Sequence, residues 1–246
     1  MINEIFLAII QAATEFLPVS SSGHLAFFGN LISEPNLFFI TILHFASLLA
    51  VLIFTRKELC ELVIFKKDSR KMWIYLIIAT IPAVIVGLLF KTAVQTALSN
   101  YLFLGAAFIF TGLILLLTKF FKGKGKINLK SSLLIGLFQA LALFPGVSRS
   151  GMTISAGMFS GVERKKATKF SFLLLIPLVL GAMVLEIGKF YFSWSLLISF
   201  LVCFVLSLFF LNLLYTIISK GYFWGFGIYC FLMGILSWII YFFGII

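Results

Sequence analysis

A chain of 246 residues that is 62% hydrophobic and only 11% charged, with a mean hydropathy of +1.18, is too apolar for a soluble domain. The net charge of +11 would suit a nucleic-acid partner, but the basic residues sit in short loops between apolar runs, which is the pattern of membrane topology and excludes that class. Cys60, Cys203 and Cys230 lie far apart, without CxxC or metal-ligand spacing, and read as structural thiols.

Taken in order, the chain opens on residues 2–33, an apolar stretch broken at Pro18 and the Ser/Gly run behind it. Each arm reaches only about 21 Å or less at 1.5 Å per residue, too short to cross a bilayer. The expected structure is a re-entrant helix hairpin, whose broken backbone is tolerated only where protein or water covers it. The segment lacks a basic n-region and a small-residue cleavage site, so it reads as retained structure and not as a signal peptide. Three spanning helices follow at 36–55, 73–90 and 101–121, then a basic linker at 122–130. A second broken stretch at 131–161 precedes three more spans, at 168–187, 194–218 and 223–245. Pro82 and Pro177 are expected to kink the spans that contain them. GMFSG (157–161) and GYFWG (221–225) fit GxxxG, which allows a homodimer without assigning one.

The two broken stretches are copies. QAATEFLPVSSSG (11–23) and QALALFPGVSRSG (139–151) match at seven of thirteen positions under a shift of 128. The same shift carries each span of the first half onto one of the second, so repeat one is 1–121 and repeat two 131–246. Each repeat is a hairpin plus three spans. Three is odd, so the second copy is inverted. Charge agrees: with the loop at 56–72 in the cytoplasm, sixteen of the 19 basic residues fall inside, Lys91 and Lys189 outside, and Arg149 in the membrane. Both termini are then external. The hairpins enter from opposite faces and meet near the midplane, which is where inverted repeats build substrate sites.

Gln11 and Glu15, one turn apart, share a helix face. A buried carboxylate there must be paired, protonated or metal-bound. With an amide oxygen beside it, Glu15 suits a hard divalent cation, Mg²⁺ or Ca²⁺, that draws further ligands from phosphate, with Gln11 assisting. The competing reading is a structural Glu15–Arg149 ion pair across the two tips. The Ser/Gly turns carrying Ser20, Ser21, Ser22, Ser148 and Ser150 each open a helix, so hydroxyls and first-turn N–H groups form an anion cradle or, more plainly, N-caps. Arg149 fits phosphate bidentately. His24 reads either as a helix-capping or packed histidine or, beside three Ser and a Glu, as a proton donor or nucleophile. His44, Thr80 and Asn212 inside spans read as interhelical hydrogen-bonding groups.

These motifs resemble a known family. QAATEFLPVSSSGHL (11–25) is similar to the (E/Q)xxxE and PVSSSGHL signature of the bacterial undecaprenyl-pyrophosphate phosphatases, the bacitracin-resistance phosphatases, and FPGVSRSGMT (144–153) to that family's PGxSRSGxT. The resemblance implies hydrolysis of the C55 lipid carrier's long-chain prenyl pyrophosphate to the monophosphate in the bacterial cytoplasmic membrane, and the charge count, which brings the Glu15 hairpin in from outside, opens the site to the outer face. It also implies catalytic or substrate-binding roles for Gln11, Glu15, Ser21, His24, Ser148, Arg149 and Thr153. Gln11 is the amide variant of the first acid, leaving Glu15 as the motif's one carboxylate. Whether Ser21, His24 or a water is the nucleophile stays open. The rival class is an inverted-repeat transporter or flippase of an anionic lipid or solute.

Overall fold

The computed structural model describes residues 1–32, 36–64, 67–185 and 192–244. Lys66 and Lys189, used in the charge count, and the expected ends of a hairpin and two spans at 33, 186–187 and 245 lie outside those residues. Hairpin one is α1 (Ile2–Phe16) and α2 (Ser21–Ile32), and hairpin two is α8 (Leu129–Leu141) and α9 (Arg149–Phe159). Among the described residues six helices are long and apolar enough to cross a membrane. Three belong to repeat one: α3 (Leu37–Phe54), α5 (Lys67–Leu89) and α7 (Tyr101–Leu117). Three belong to repeat two: α10 (Arg164–Leu185), α11 (Trp194–Lys220) and α12 (Phe226–Phe243). The protein is an all-α, multi-pass membrane protein.

Local chemistry sets the ends. Asn36, Asn100 and Asn128 cap α3, α7 and α8 by accepting the N–H three residues on, and Ser193 does the same for α11. Gly221, at φ 88°, closes α11 in the left-handed conformation that glycine adopts without penalty. α5 and α10 continue through Pro82 and Pro177. Two short helices were not expected from periodicity: α4 (Arg56–Val63) and α6 (Lys91–Leu98). At the basic side, Gly125 N donates to Gly161 O at 2.9 Å and Glu163 N to Gly125 O at 3.1 Å, pinning the linker to the start of α10.

The hairpin contacts pair up when the repeats are exchanged. α1 lies on α11 as α8 lies on α5, each hairpin packs arm on arm, and α3 meets α10 and α7 meets α12 as mates. This is consistent with the inverted-repeat plan. The α7–α12 contact is backbone-close: a methyl on Gly112 would sit 2.8 Å from Gly227 O, and one on Gly234 2.8 Å from Gly105 O. The intimate glycine packing is thus here and not at GYFWG, where Gly221 meets only the end of Arg164 and Gly225 nothing. Phe16 and Val19 at the first break share a core cluster with Ile154 and Met158 of α9, while Val147 at the second break packs with Ala107 and Met152.

Candidate functional site at the hairpin tips

Each break follows from its residues. Leu17 precedes Pro18 and is extended, at φ −57° and ψ 140°, because proline's ring excludes the helical conformation from the residue before it. Ser20 then takes φ 70°, a left-handed conformation rare outside glycine, and α2 starts at Ser21. In hairpin two the positive φ falls two residues earlier, on Gly146 at 87°. The caps are nonetheless the same: Gly23 N donates to Ser20 Oγ at 3.2 Å and Gly151 N to Ser148 Oγ at 3.1 Å. Ser22 and Ser150 lie 3.4 and 3.3 Å from those capping hydroxyls. The N-cap reading of the Ser turns is therefore realised for Ser20 and Ser148.

The tips touch, and they touch twice in the same way. A methyl on Gly23 would lie 2.8 Å from Gly146 Cα, and one on Gly151 3.3 Å from Pro18 Cβ. The shift of 128 converts one contact into the other. Thr111 of α7 fastens the junction, its Oγ1 donating to Gly146 O at 3.0 Å and accepting Ser148 N–H at 3.2 Å. Only glycine allows backbones this close.

Across this junction Arg149 Nη2 donates to Glu15 Oε1 at 2.8 Å, and Nη1 to Ser171 O on α10 at 3.0 Å. Glu15 Oε2 accepts from Ser21 Oγ at 2.7 Å and from Gln11 Nε2 at 3.0 Å. His44 Nε2 on α3 stands 3.5 Å from the same oxygen. Thr153 Oγ1 lies 2.6 Å from Ser171 Oγ, so α9 is tied to α10 behind the guanidinium. Glu15 and Gln11 are buried, and the Arg149 side chain is 14% exposed. The ion pair weighed as a competing reading is thus present. Such a pair is weak evidence for stability, because desolvating two ions offsets most of their attraction. What it provides is a fork held ready where a second anion can compete for it.

His24 points elsewhere. It is buried, with Nδ1 donating to Ser20 O at 2.8 Å and Nε2 2.7 Å from Tyr229 OH of α12, against whose ring it stacks. The structure therefore joins Glu15, Ser21, Gln11 and Arg149 by direct bonds, and ties His24 to the turn through Ser20. A cavity of ≈ 450 Å³ opens beside this break, lined by Thr14, Leu17, Phe226 and Tyr229 among others. Sequence reasoning missed Ser171, Tyr229 and Thr111, and discounted His44. For His44 a signal existed: it is an ionisable side chain inside a span.

Among the described residues no three His, Cys, Asp or Glu side chains form a metal-binding group. The residues fit a divalent ion of another kind, one that arrives with phosphate oxygens. Glu15 is a single carboxylate, and Gln11 Oε1 is a buried acceptor without a protein partner.

The family model described as bacitracin resistance protein BacA matches residues 4–236. A protein of Thermosipho africanus named undecaprenyl-diphosphatase is 39% identical over 97% of this chain and 99% of its own length. Proteins with the same name from Methanococcus vannielii (39% identical, over 94% and 96%) and Christiangramia forsetii (37%, over 95% and 95%) are similar along the same extent.

Proposed function

The chain belongs to the BacA bacitracin-resistance family, and on that footing we infer that it is an undecaprenyl-diphosphatase, a membrane hydrolase that releases phosphate from undecaprenyl pyrophosphate. Its product, undecaprenyl phosphate, returns as lipid carrier to cell-wall synthesis, and this turnover underlies bacitracin resistance. A transporter is not favoured, since the relatives are named for a hydrolase.

The observation that carries the reaction centre is the contact of Arg149 and Ser21 with the two oxygens of Glu15. Pyrophosphate competes with Glu15 for the Arg149 fork. Ser21 Oγ attacks the terminal phosphorus as Glu15 takes its proton, and the bridging P–O bond breaks to release undecaprenyl phosphate. Water then cleaves the Ser21–phosphate bond, the proton returns from Glu15 to Oγ, and inorganic phosphate leaves. Phosphoryl transfer asks little more of a protein than this positioning and charge neutralisation. Ser20, Ser22, Ser148, Ser150 and Thr153 frame the cradle, and His24 with Tyr229 forms a second proton-carrying pair at the turn. Glu15 and Gln11 would hold a divalent ion, Mg²⁺ or Ca²⁺, which supplies neutralisation of the pyrophosphate charge. The termini face outside, the site opens to the outer face and the prenyl tail stays in lipid, a topology supported by the basic loops. The test is phosphate release by detergent-purified protein from long-chain prenyl pyrophosphate, where a transporter would release none.

A further inference from the structure

We propose that His44 is a third protein ligand of that divalent ion, so that the site is Glu15, Gln11 and His44 and not the α1 pair alone. The proposal rests on the reading of Glu15 as a metal ligand. His44 sits in the middle of α3, an apolar span, with its side chain 26% exposed. Its Nδ1 lies 2.9 Å from Ile40 O, one turn back. A carbonyl can only accept, so Nδ1 carries a hydrogen and Nε2 is the nitrogen left to meet a ligand. Binding the far nitrogen's N–H to a backbone carbonyl is how metal-ligating histidines are oriented.

Nε2 faces an anion. Nε2 is 3.5 Å from Glu15 Oε2, beyond the roughly 2.7–3.2 Å of a hydrogen bond. An imidazole nitrogen and a carboxylate oxygen at that spacing are held together by a cation between them, either a proton or a metal ion. Adjacent ligands at right angles around an ion with bonds of about 2.1–2.4 Å stand roughly 3.0–3.4 Å apart, just under the 3.5 Å seen here. The Gln11 amide lies 3.0 Å from the same carboxylate oxygen, and a half-turn of that amide brings its unpartnered Oε1 to the same place. Gln11 and His44 then both offer an acceptor within 3.5 Å of Glu15 Oε2, the oxygen that also holds the Ser21 hydroxyl.

The second repeat serves as an internal comparison. The shift of 128 sets Leu143 at the position of Glu15 and Phe172 at that of His44. Gln139, the mate of Gln11, donates to Ala79 O on α5 instead, at 3.0 Å. The amide occurs in both repeats, whereas acid and imidazole occur together in one. An imidazole ligand also shifts preference from Ca²⁺ towards Co²⁺ and Zn²⁺.

The experiment uses Mn²⁺ with inorganic pyrophosphate on detergent-purified protein bearing no histidine tag, read by pulsed electron paramagnetic resonance for a directly coordinated imidazole nitrogen. The chain has two histidines, so the assignment is closed. The wild type is expected to show that ¹⁴N modulation, and ¹⁵N-histidine labelling to change it without any mutation. His24→Asn should keep it. His44→Gln should lose it and bind Mn²⁺ at least about tenfold more weakly. Bound Mn²⁺ without nitrogen modulation in the wild type, or modulation that survives in His44→Gln, overturns the assignment while leaving Glu15 a ligand. No Mn²⁺ bound at all overturns both.

Discussion

Glu15→Gln keeps the size of the side chain and removes its charge, and the surroundings of Glu15 set what that should cost. Arg149 would lose its 2.8 Å carboxylate partner while remaining 14% exposed. Stranding one partner of a buried pair costs about 3–5 kcal/mol. Arg149 keeps Ser171 O, and a glutamine can still offer an amide oxygen, so the lower end, about 3 kcal/mol, is expected. Turnover should fall at least about a hundredfold, because the proton acceptor for Ser21 is gone. Glu15→Gln combined with Arg149→Gln removes both charges, so most of the lost stability should return, as a double-mutant cycle across a contacting pair requires. Activity should not return. Thermal unfolding and phosphate release on the same preparations read the two quantities separately. A double variant that recovers turnover along with stability would make the pair structural, and a Glu15→Gln protein as stable and active as wild type would refute both arguments.

Four further outcomes are expected. Gly23→Ala forces a methyl to 2.7 Å from Phe108 Cζ and 2.8 Å from Gly146 Cα, of which only the ring can give way, so the tips should part at about 1–3 kcal/mol with loss of activity. Gly181→Ala, with nothing within 4 Å, should leave unfolding temperature unchanged or raised. Gln11→Glu should be tolerated and tighten divalent-ion binding in a direct titration, since it adds a carboxylate 3.0 Å from Glu15 Oε2; weaker binding would remove Gln11 from the site. With the native cysteines replaced, a single Cys at Asn100 should react with an impermeant thiol reagent in intact cells and one at Lys124 should not, and the reverse would overturn the topology.

Much of this was legible in the sequence because membrane chains write polar chemistry against an apolar background. Pro18, the Ser runs and Arg149 could be singled out by type alone, and the spans fall within a few residues of the expected bounds. α4 escaped because RKELCELV is charged enough to read as loop, yet Leu62 is buried beneath it. The approach of His44 to Glu15 was not legible. It depends on the register of α3 against α1, fixed by the packing of Leu7, Ala8 and Ala12 with Leu43 and Ala46, and periodicity does not report register between helices. Ser171 was hidden for a different reason: it contributes a backbone carbonyl to Arg149, a service any residue there could perform. Tyr229 reads as one aromatic among many in α12, and only its 2.7 Å approach to His24 distinguishes it.

The central claim, a pyrophosphate hydrolase whose anion clamp is Arg149, meets its most direct test in phosphate release from long-chain prenyl pyrophosphate by wild type, Arg149→Lys and Arg149→Ala in one detergent. Loss of one transition-state charge contact is worth about 3–4 kcal/mol, so Arg149→Ala should be slower by roughly a hundred- to a thousandfold. Arg149→Lys should lose much of the activity, because it keeps the charge without the fork. A folded Arg149→Ala protein that turns over within a fewfold of wild type would contradict the account and put the reaction somewhere other than the hairpin tips.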